Sequence, residues 1–277
     1  MKSALVFDVD NTLTPPRQAL REEMAIALKA LTEHFVLAAG SDLPLVEGQF
    51  LQPLHDFGFR GELDAFLCNG ASRYRCTFGD RLATECIDEF SLRAHLGDVA
   101  FQQLNELLRR ALATPEFLLP PTVEIAGAQI IDRGSMLNLA PSGRPPGALS
   151  ELAQRSRKAF VKFDRETAYR RRLLVWLRTE VDGLLPGNDL AISYGGETSF
   201  DLVVRGREKT YPVRCLLKEG FEQVTYVGDA LFPGGNDAAV ADFAAAWSEG
   251  PCPVRVVQVE GCQDTLSLLR GGMGGQG

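Results

Sequence analysis

A chain of 277 residues, 45% hydrophobic and 23% charged, is long enough for one large domain or two, and too ordinary in composition for a disordered or fibrous protein. Its net charge of −7 argues against a general binder of nucleic acid or of anionic membrane, since both select basic surfaces. No apolar run reaches membrane-spanning length, the N-terminus lacks a signal-peptide pattern, and the six cysteines form no CxxC pair. A cytoplasmic protein without zinc or redox motifs is therefore expected.

In chain order, Ala4-Leu5-Val6-Phe7 is a short apolar run that stops at Asp8-Val9-Asp10-Asn11-Thr12, the pattern of a buried parallel strand delivering Asp8 at its carboxyl end. Pro15-Pro16 then suit the start of a helix over residues 17–34, with Thr14 as its cap. A second apolar run, residues 35–39, ends in Gly40-Ser41-Asp42, and Asn69-Gly70 reads as a turn between strands. From about residue 81 the rhythm changes. An amphipathic stretch over 92–112 is followed by strand-like Val123-Glu124-Ile125 and Met136-Leu137-Asn138-Leu139, a Pro/Gly-rich piece at 141–147, and a second helix through Trp176. The chain is expected to return to the first layer near Pro186-Gly187-Asn188. Val224-Thr225-Tyr226-Val227 then ends in Gly228-Asp229, and residues 271–277 are expected to be disordered. Strands that end in acids or a hydroxyl, with helices between, imply a doubly wound sheet whose site lies outside the strands' carboxyl ends.

Two carboxylates two residues apart just past a strand suit phosphoryl transfer. Asp8 can attack phosphorus to give an aspartyl-phosphate, and Asp10 can carry the proton of the attacking or leaving oxygen. Such chemistry needs positive charge and fixed donors around the phosphorus. Asp229 and Asp237 offer hard oxygen ligands for Mg²⁺, Ser41 a hydroxyl and an N–H, and Lys209 a cation. Residues 133–178 hold eleven Lys/Arg against three Asp/Glu, net +8 within an acidic chain. That segment suits either an anionic ligand or a solvated helix face, and the second reading is the expectation for Arg170, Arg171, Arg172 and Arg178.

Together, Phe7-Asp8-Val9-Asp10-Asn11-Thr12-Leu13-Thr14, Gly40-Ser41-Asp42, Lys209 and Gly228-Asp229 with Asn236-Asp237 resemble the haloacid dehalogenase superfamily. Thr14-Pro15-Pro16-Arg17-Gln18, Arg133-Gly134-Ser135-Met136-Leu137-Asn138-Leu139-Ala140-Pro141-Ser142-Gly143-Arg144, Gly195-Gly196-Glu197-Thr198-Ser199-Phe200-Asp201 and Phe232-Pro233-Gly234-Gly235-Asn236-Asp237 narrow the likeness to the eukaryotic-type phosphomannomutases. The resemblance implies an α/β protein with a Rossmann-like parallel-sheet core (1–80 and 188–277) and an inserted α/β cap domain (81–187). It makes Asp8 the phosphorylated nucleophile and Asp10 the general acid/base. Ser41 and Lys209 hold the phosphoryl group, and Mg²⁺ sits on Asp8, the Asp10 carbonyl and Asp229, with Asp237 as a further candidate ligand. Arg17, Arg133, Arg144, Arg157, Ser199 and Asp201 match positions that hold the sugar phosphate.

The expected substrate is a phosphorylated sugar, mannose 6-phosphate or mannose 1-phosphate, with a hexose 1,6-bisphosphate as activator and a homodimer through the cap as the assembly the family allows. Asn11 stands where the family has glycine, Gly134-Ser135 replaces an Asn-Gly pair, and Leu43-Pro44-Leu45 lacks the usual charges. A phosphatase of the same fold is the alternative to a mutase, because the two share every core residue.

Overall fold

The computed structural model describes residues 2–145 and 150–271. The chain divides into two compact units, Met1–Glu89 with Gly206–Gly277, and Phe90–Arg205. The strands in chain order are β1 Ser3–Phe7, β2 His34–Ala38, β3 Gly61–Leu67, β4 Ser72–Phe78, β5 Leu82–Asp88, β6 Ala128–Asp132, β7 Leu137–Arg144, β8 Leu190–Gly195, β9 Ser199–Val204, β10 Gln223–Gly228 and β11 Val254–Gln258.

The first unit is built on a seven-stranded sheet in the order β11-β10-β1-β2-β3-β4-β5. Its first five strands are parallel, and β4 and β5 join antiparallel at one edge. Side chains on a strand alternate between faces, so each central strand feeds two apolar layers. Leu5, Phe7, Phe35 and Leu37 enter one layer, while Ala4, Val6, Val36 and Ala38 enter the other. This double burial is why β1 and β2 read as unbroken apolar runs. The chain leaves β1 toward β2 on one side, and β10 lies on the other. The strand order therefore reverses at β1/β10, where open α/β sheets place their ligands.

The second unit is a four-stranded antiparallel sheet, β6-β7-β9-β8, with helices on one face. Helix Asp98–Ala113 buries Phe101, Leu104, Leu108 and Ala111, a three-to-four-residue spacing, against Leu137, Leu139, Phe200 and Leu202 of the sheet. Burying each of the Phe and Leu side chains among them contributes about 1.5–3 kcal/mol. Helix Glu151–Thr167 is capped by Ser150, whose hydroxyl accepts from the Ala153 N–H at 3.2 Å. Tyr169 lies fully buried between Phe117 and Phe160 and donates its hydroxyl to the Phe117 carbonyl at 2.9 Å.

Several expectations are corrected. The boundaries fall at 89/90 and 205/206, not 80/81 and 187/188, because β5 pairs with β4 in the first sheet and the β8–β9 hairpin completes the second. The first helix is Glu22–Lys29, much shorter than 17–34. Thr14 does not cap it, and residues 15–20 form a turn at the site described below. Val123-Glu124-Ile125 is not a strand, and β7 pairs instead with Ala128–Asp132. Of the Pro/Gly-rich piece at 141–147, Pro141-Ser142-Gly143-Arg144 continues β7. The stretch 92–112 breaks at Gly97, whose φ of 78° begins a second helix, and the later helix breaks at Ala168. The disorder expected for residues 271–277 fails at Gly271, which ends helix Cys262–Gly271, and otherwise falls on 272–277, which lie outside the described residues. Among the described residues no helix is long and apolar enough to cross a membrane.

Candidate active site

Asp8 continues the β1/β10 pairing by one residue, its N–H donating to the Val227 carbonyl at 2.9 Å, and it is 4% exposed. The chain then turns back on itself. The Val9 carbonyl accepts from the N–H groups of Leu13 and Thr14, both at 2.9 Å, so Asp10 to Thr14 form a tight loop. Asn11 sits in the left-handed region at φ 60°. Glycine is the usual occupant of such a position and asparagine the side chain that tolerates it best, so the departure from the family pattern keeps the backbone shape. It also adds a contact: Asn11 Nδ2 donates to Asp229 Oδ2 at 3.2 Å.

Lys209, at the start of helix Thr210–Lys218, is 1% exposed and donates Nζ to Asp8 Oδ1 at 2.5 Å and to Asp237 Oδ1 at 2.7 Å. Asp237 is wholly buried and accepts in addition from the Tyr226 hydroxyl at 2.5 Å and, on Oδ2, from the Ala230 N–H at 2.9 Å. Gly228 makes this approach possible: a Cβ there would lie 2.5 Å from Asp237 Oδ2. Asp8, Asp229 and Asp237 place carboxylate oxygens within 4.8 Å of one another, enough to hold a cation. Burial, then the charges of Asp237 and Asp229, push the Asp8 carboxyl well above its usual range against the pull of Lys209. Burial and Asp237 raise Asp229 as well. Burial disfavours the Lys209 cation, but Asp237 and Asp8 outweigh it and hold the ammonium protonated. Three crowded carboxylates with one ammonium leave an excess of negative charge that a divalent cation would relieve.

Ser41 is 6% exposed on the turn after β2, the strand beside β1. Its carbonyl accepts from the Cys68 N–H at 2.9 Å, which ties this turn to residues 68–71. In that second turn Asn69, 1% exposed and at φ 60°, accepts on Oδ1 from Asn236 Nδ2 at 3.2 Å. The sequence marks Asn69 only as part of a turn, yet it links the loop of Ser41 to the loop that carries Asp237. Asp10 lies in its own network: Oδ1 accepts from the Arg17 N–H at 2.9 Å and from Gln49 Nε2 at 2.7 Å. Arg17, at φ 57°, thus enters the site through its backbone.

The second unit carries a separate polar cluster, and strand alternation explains it. On β7 and β9, Leu137, Leu139, Phe200 and Leu202 pack toward the helices, so Asn138, Ser199 and Asp201 occupy the opposite face. Asn138, 1% exposed, donates Nδ2 to Asp201 Oδ1 at 2.6 Å and to Ser199 Oγ at 3.1 Å, and Arg144 Nη2 donates to the same Ser199 oxygen at 3.1 Å. Gly195 opposite leaves room, since a Cβ there would lie 2.6 Å from Ser199 Oγ and 2.8 Å from Asp201 Oδ1. Arg144, Ser199 and Asp201 are therefore one cluster, with Asn138 an unanticipated member. Arg133 lies at the β6–β7 turn, where its N–H donates to the Met136 carbonyl at 3.0 Å. Arg157 bonds Glu197 at 2.5 Å on the β8–β9 turn, beside Lys158, Lys162 and Arg165 on its own helix. Of the four arginines expected on a solvated face, Arg171, Arg172 and Arg178 are exposed and Arg170 is half-buried, while Arg170 and Arg178 also donate at 2.7 Å to the carbonyls of Gly196 and Ile192.

The parallel sheet, the reversal at β1/β10 and an ion-paired carboxylate cluster at the strand ends define a phosphoryl-transfer fold of the haloacid dehalogenase type. Bound to IMP, N-terminally truncated Plasmodium falciparum IMP-nucleotidase shares it, with a TM-score of 0.65 at 14% identity over 97% of this chain and 67% of that one. The family model for eukaryotic phosphomannomutase matches residues 27–247. The phosphomannomutase of Oryza sativa subsp. indica is 31% identical over 236 residues, 84% of this chain and 83% of the relative. That of Schizosaccharomyces pombe is 31% identical over 242 residues, 85% and 84% of the two chains. The chain belongs to the eukaryotic phosphomannomutase family.

Proposed function

We propose that this protein is a phosphomannomutase, interconverting mannose 6-phosphate and mannose 1-phosphate through phosphorylated Asp8. The observation that carries the reading is the Asp8–Lys209–Asp237 chain at the β1/β10 reversal, found in a member of this family. Hexose 1,6-bisphosphate primes the enzyme by giving one phosphoryl group to Asp8. The sugar hydroxyl then attacks that phosphorus, Asp10 takes its proton, and the Asp8–phosphorus bond breaks. Lys209 neutralises charge on the transferring group, and Ser41 supplies donors beside it.

Mg²⁺ fits the donor set, which is all oxygen. Asp8, Asp229 and the Asp10 carbonyl would hold it, and when bound it supplies charge against the phosphoryl oxygens. Asp237 is assigned to Lys209 instead, because Lys209, Tyr226 and the Ala230 N–H already occupy its oxygens. Asp229→Ala should abolish Mg²⁺ binding measured by calorimetry, while Asp237→Asn should weaken it by no more than about 10–100-fold, the range for residues behind a ligand. Binding by the Asp229 variant at wild-type affinity would refute the assignment.

Recognition of the sugar phosphate is assigned to Arg133, Arg144, Arg157, Ser199 and Asp201 in the second unit and, separately, to Arg17 in the first. Arginine grips phosphate bidentately, which suits the phosphate that does not react. Arg144→Ala should therefore cripple hexose phosphate turnover, by about 2–5 kcal/mol of lost grip. Phosphorylation of Asp8 by acetyl phosphate needs no such grip and should survive. Equal loss in both assays would assign Arg144 to folding.

The deciding experiment supplies mannose 1-phosphate and Mg²⁺, with and without a trace of hexose 1,6-bisphosphate, and follows isomer and free phosphate together. Bisphosphate-dependent isomerisation is expected, whereas phosphate release without isomerisation would make the protein a phosphatase. A phosphosugar substrate and six cysteines present as thiols fit the reducing cytoplasm. Association through the second unit, the expected dimer, is tested by light scattering.

A further inference from the structure

Gln49 lies on a helical segment that is irregular where it meets the site. Residues 43–56 run as one helix, but Glu47–Leu51 is a π-helical turn between the α-helical pieces Leu43–Val46 and Gln52–Asp56. A π turn carries one extra residue, weakens the hydrogen-bond ladder and is kept mostly where that residue has a task. Its neighbours Val46, Phe50, Leu51 and Leu54 are fully buried in the apolar layer beneath β1. Gln49 itself is 5% exposed, and a polar amide in such surroundings needs partners.

Those partners are all in the turn that follows the nucleophile. Nε2 donates to Asp10 Oδ1 at 2.7 Å and to Thr14 Oγ1 at 2.6 Å, and the Gln49 carbonyl accepts from the Leu20 N–H at 2.8 Å. One residue thereby holds the beginning, middle and end of residues 10–20. The Arg17 N–H meets the same Asp10 oxygen at 2.9 Å. Two donors on Oδ1 fix the carboxylate and leave Oδ2 as the oxygen that exchanges a proton.

We propose that Gln49 is a positioning residue for Asp10, placed by the π turn to hold the carboxylate that moves the proton between enzyme and sugar hydroxyl. This rests on the reading of Asp10 as general acid/base. In the step concerned, the sugar oxygen bonded to phosphorus leaves as Asp8 attacks, and Asp10 gives that oxygen its proton. An aryl phosphate with a very acidic leaving group departs as the anion and needs no proton from Asp10.

The test is pre-steady-state phosphorylation of Asp8 from two donors, hexose 1,6-bisphosphate and 2,4-dinitrophenyl phosphate, in the wild type, Gln49→Met and Asp10→Asn. For Gln49→Met the bisphosphate rate should fall about 30-fold, within the contribution of general acid catalysis, and the dinitrophenyl rate should stay within about threefold. Asp10→Asn should show the same selectivity, more strongly. Selective loss in Asp10→Asn with none in Gln49→Met would overturn the role of Gln49 alone. If Asp10→Asn lacks selectivity, the acid/base reading falls instead. Gln49→Glu keeps the shape and polarity of the side chain but sets an acceptor against Asp10, so it should reproduce the selective loss. Equal loss from both donors in the Met and Glu variants would make Gln49 structural and overturn the proposal.

Discussion

Asp8→Asn should lower turnover of mannose 1-phosphate by at least about 10⁴-fold, in the range seen when a nucleophile is removed. The amide is nearly the same shape and still offers Oδ1 to Lys209, which donates to that atom at 2.5 Å. It cannot, however, form an acyl phosphate. The substitution also removes one of three carboxylates crowded within 4.8 Å. In the metal-free protein the variant should therefore melt at or above the wild-type temperature. Mass spectrometry after exposure to hexose 1,6-bisphosphate should find the phosphoryl adduct in the wild type and not in the variant. A variant within tenfold of wild-type activity would end the aspartyl-phosphate mechanism.

Lys209→Met should be nearly as damaging, and for two separable reasons. It removes the ammonium that neutralises the transferring group, which is worth about 10²–10³ in turnover for a fixed donor in a site of this kind. It also strands Asp8 and Asp237, 4% and 0% exposed, without their countercharge. Breaking a buried pair from one side costs about 3–5 kcal/mol, or roughly 10 °C in melting temperature for a unit of this size. The double variant Lys209→Met/Asp237→Asn separates the two effects. It should recover most of the melting temperature, because the amide introduced at position 237 carries no charge, while turnover stays low. If turnover returned along with stability, Lys209 would be a structural lysine and the catalytic assignment would fail.

The core of the site was legible because the physics that makes a central parallel strand also marks its end. Residues 4–7 are apolar on both faces and residues 224–227 nearly so, Thr225 being the exception, so the acids beyond them, Asp8 and Asp229, stand out. The edges were not legible for the opposite reason. β5 is an edge strand with mostly half-exposed or exposed residues, Ala83-Thr84-Glu85-Cys86 among them, and it lacks the apolar signal of a strand. The sequence accordingly sets the boundary before β5 rather than after it. Pro15-Pro16 pointed to a helix start, but tertiary bonds from Gln49 to Asp10 and Thr14 hold this stretch as a turn. Gln49 left no trace in the sequence, because its position depends on a π turn that no residue pattern announces. Asn138 did leave one: it is the polar residue between Leu137 and Leu139, and period-2 alternation puts it on the face with Asp201.

That alternation has an evolutionary consequence. Within β7 and β9 the residues that hold the fold and those that face the polar cluster are interleaved one by one, Leu137, Leu139, Phe200 and Leu202 against Asn138, Ser199 and Asp201. On the proposed recognition role, selection can therefore vary the second set while the apolar first set stays constant, so new sugar preferences are reachable by point substitution wherever the buried hydrogen bonds of the cluster are replaced. Insertions are barred, because a single added residue would exchange the two sets and turn the cluster into the core. On that role, a library confined to positions 138, 199 and 201 samples recognition, and one confined to 137, 139, 200 and 202 samples stability.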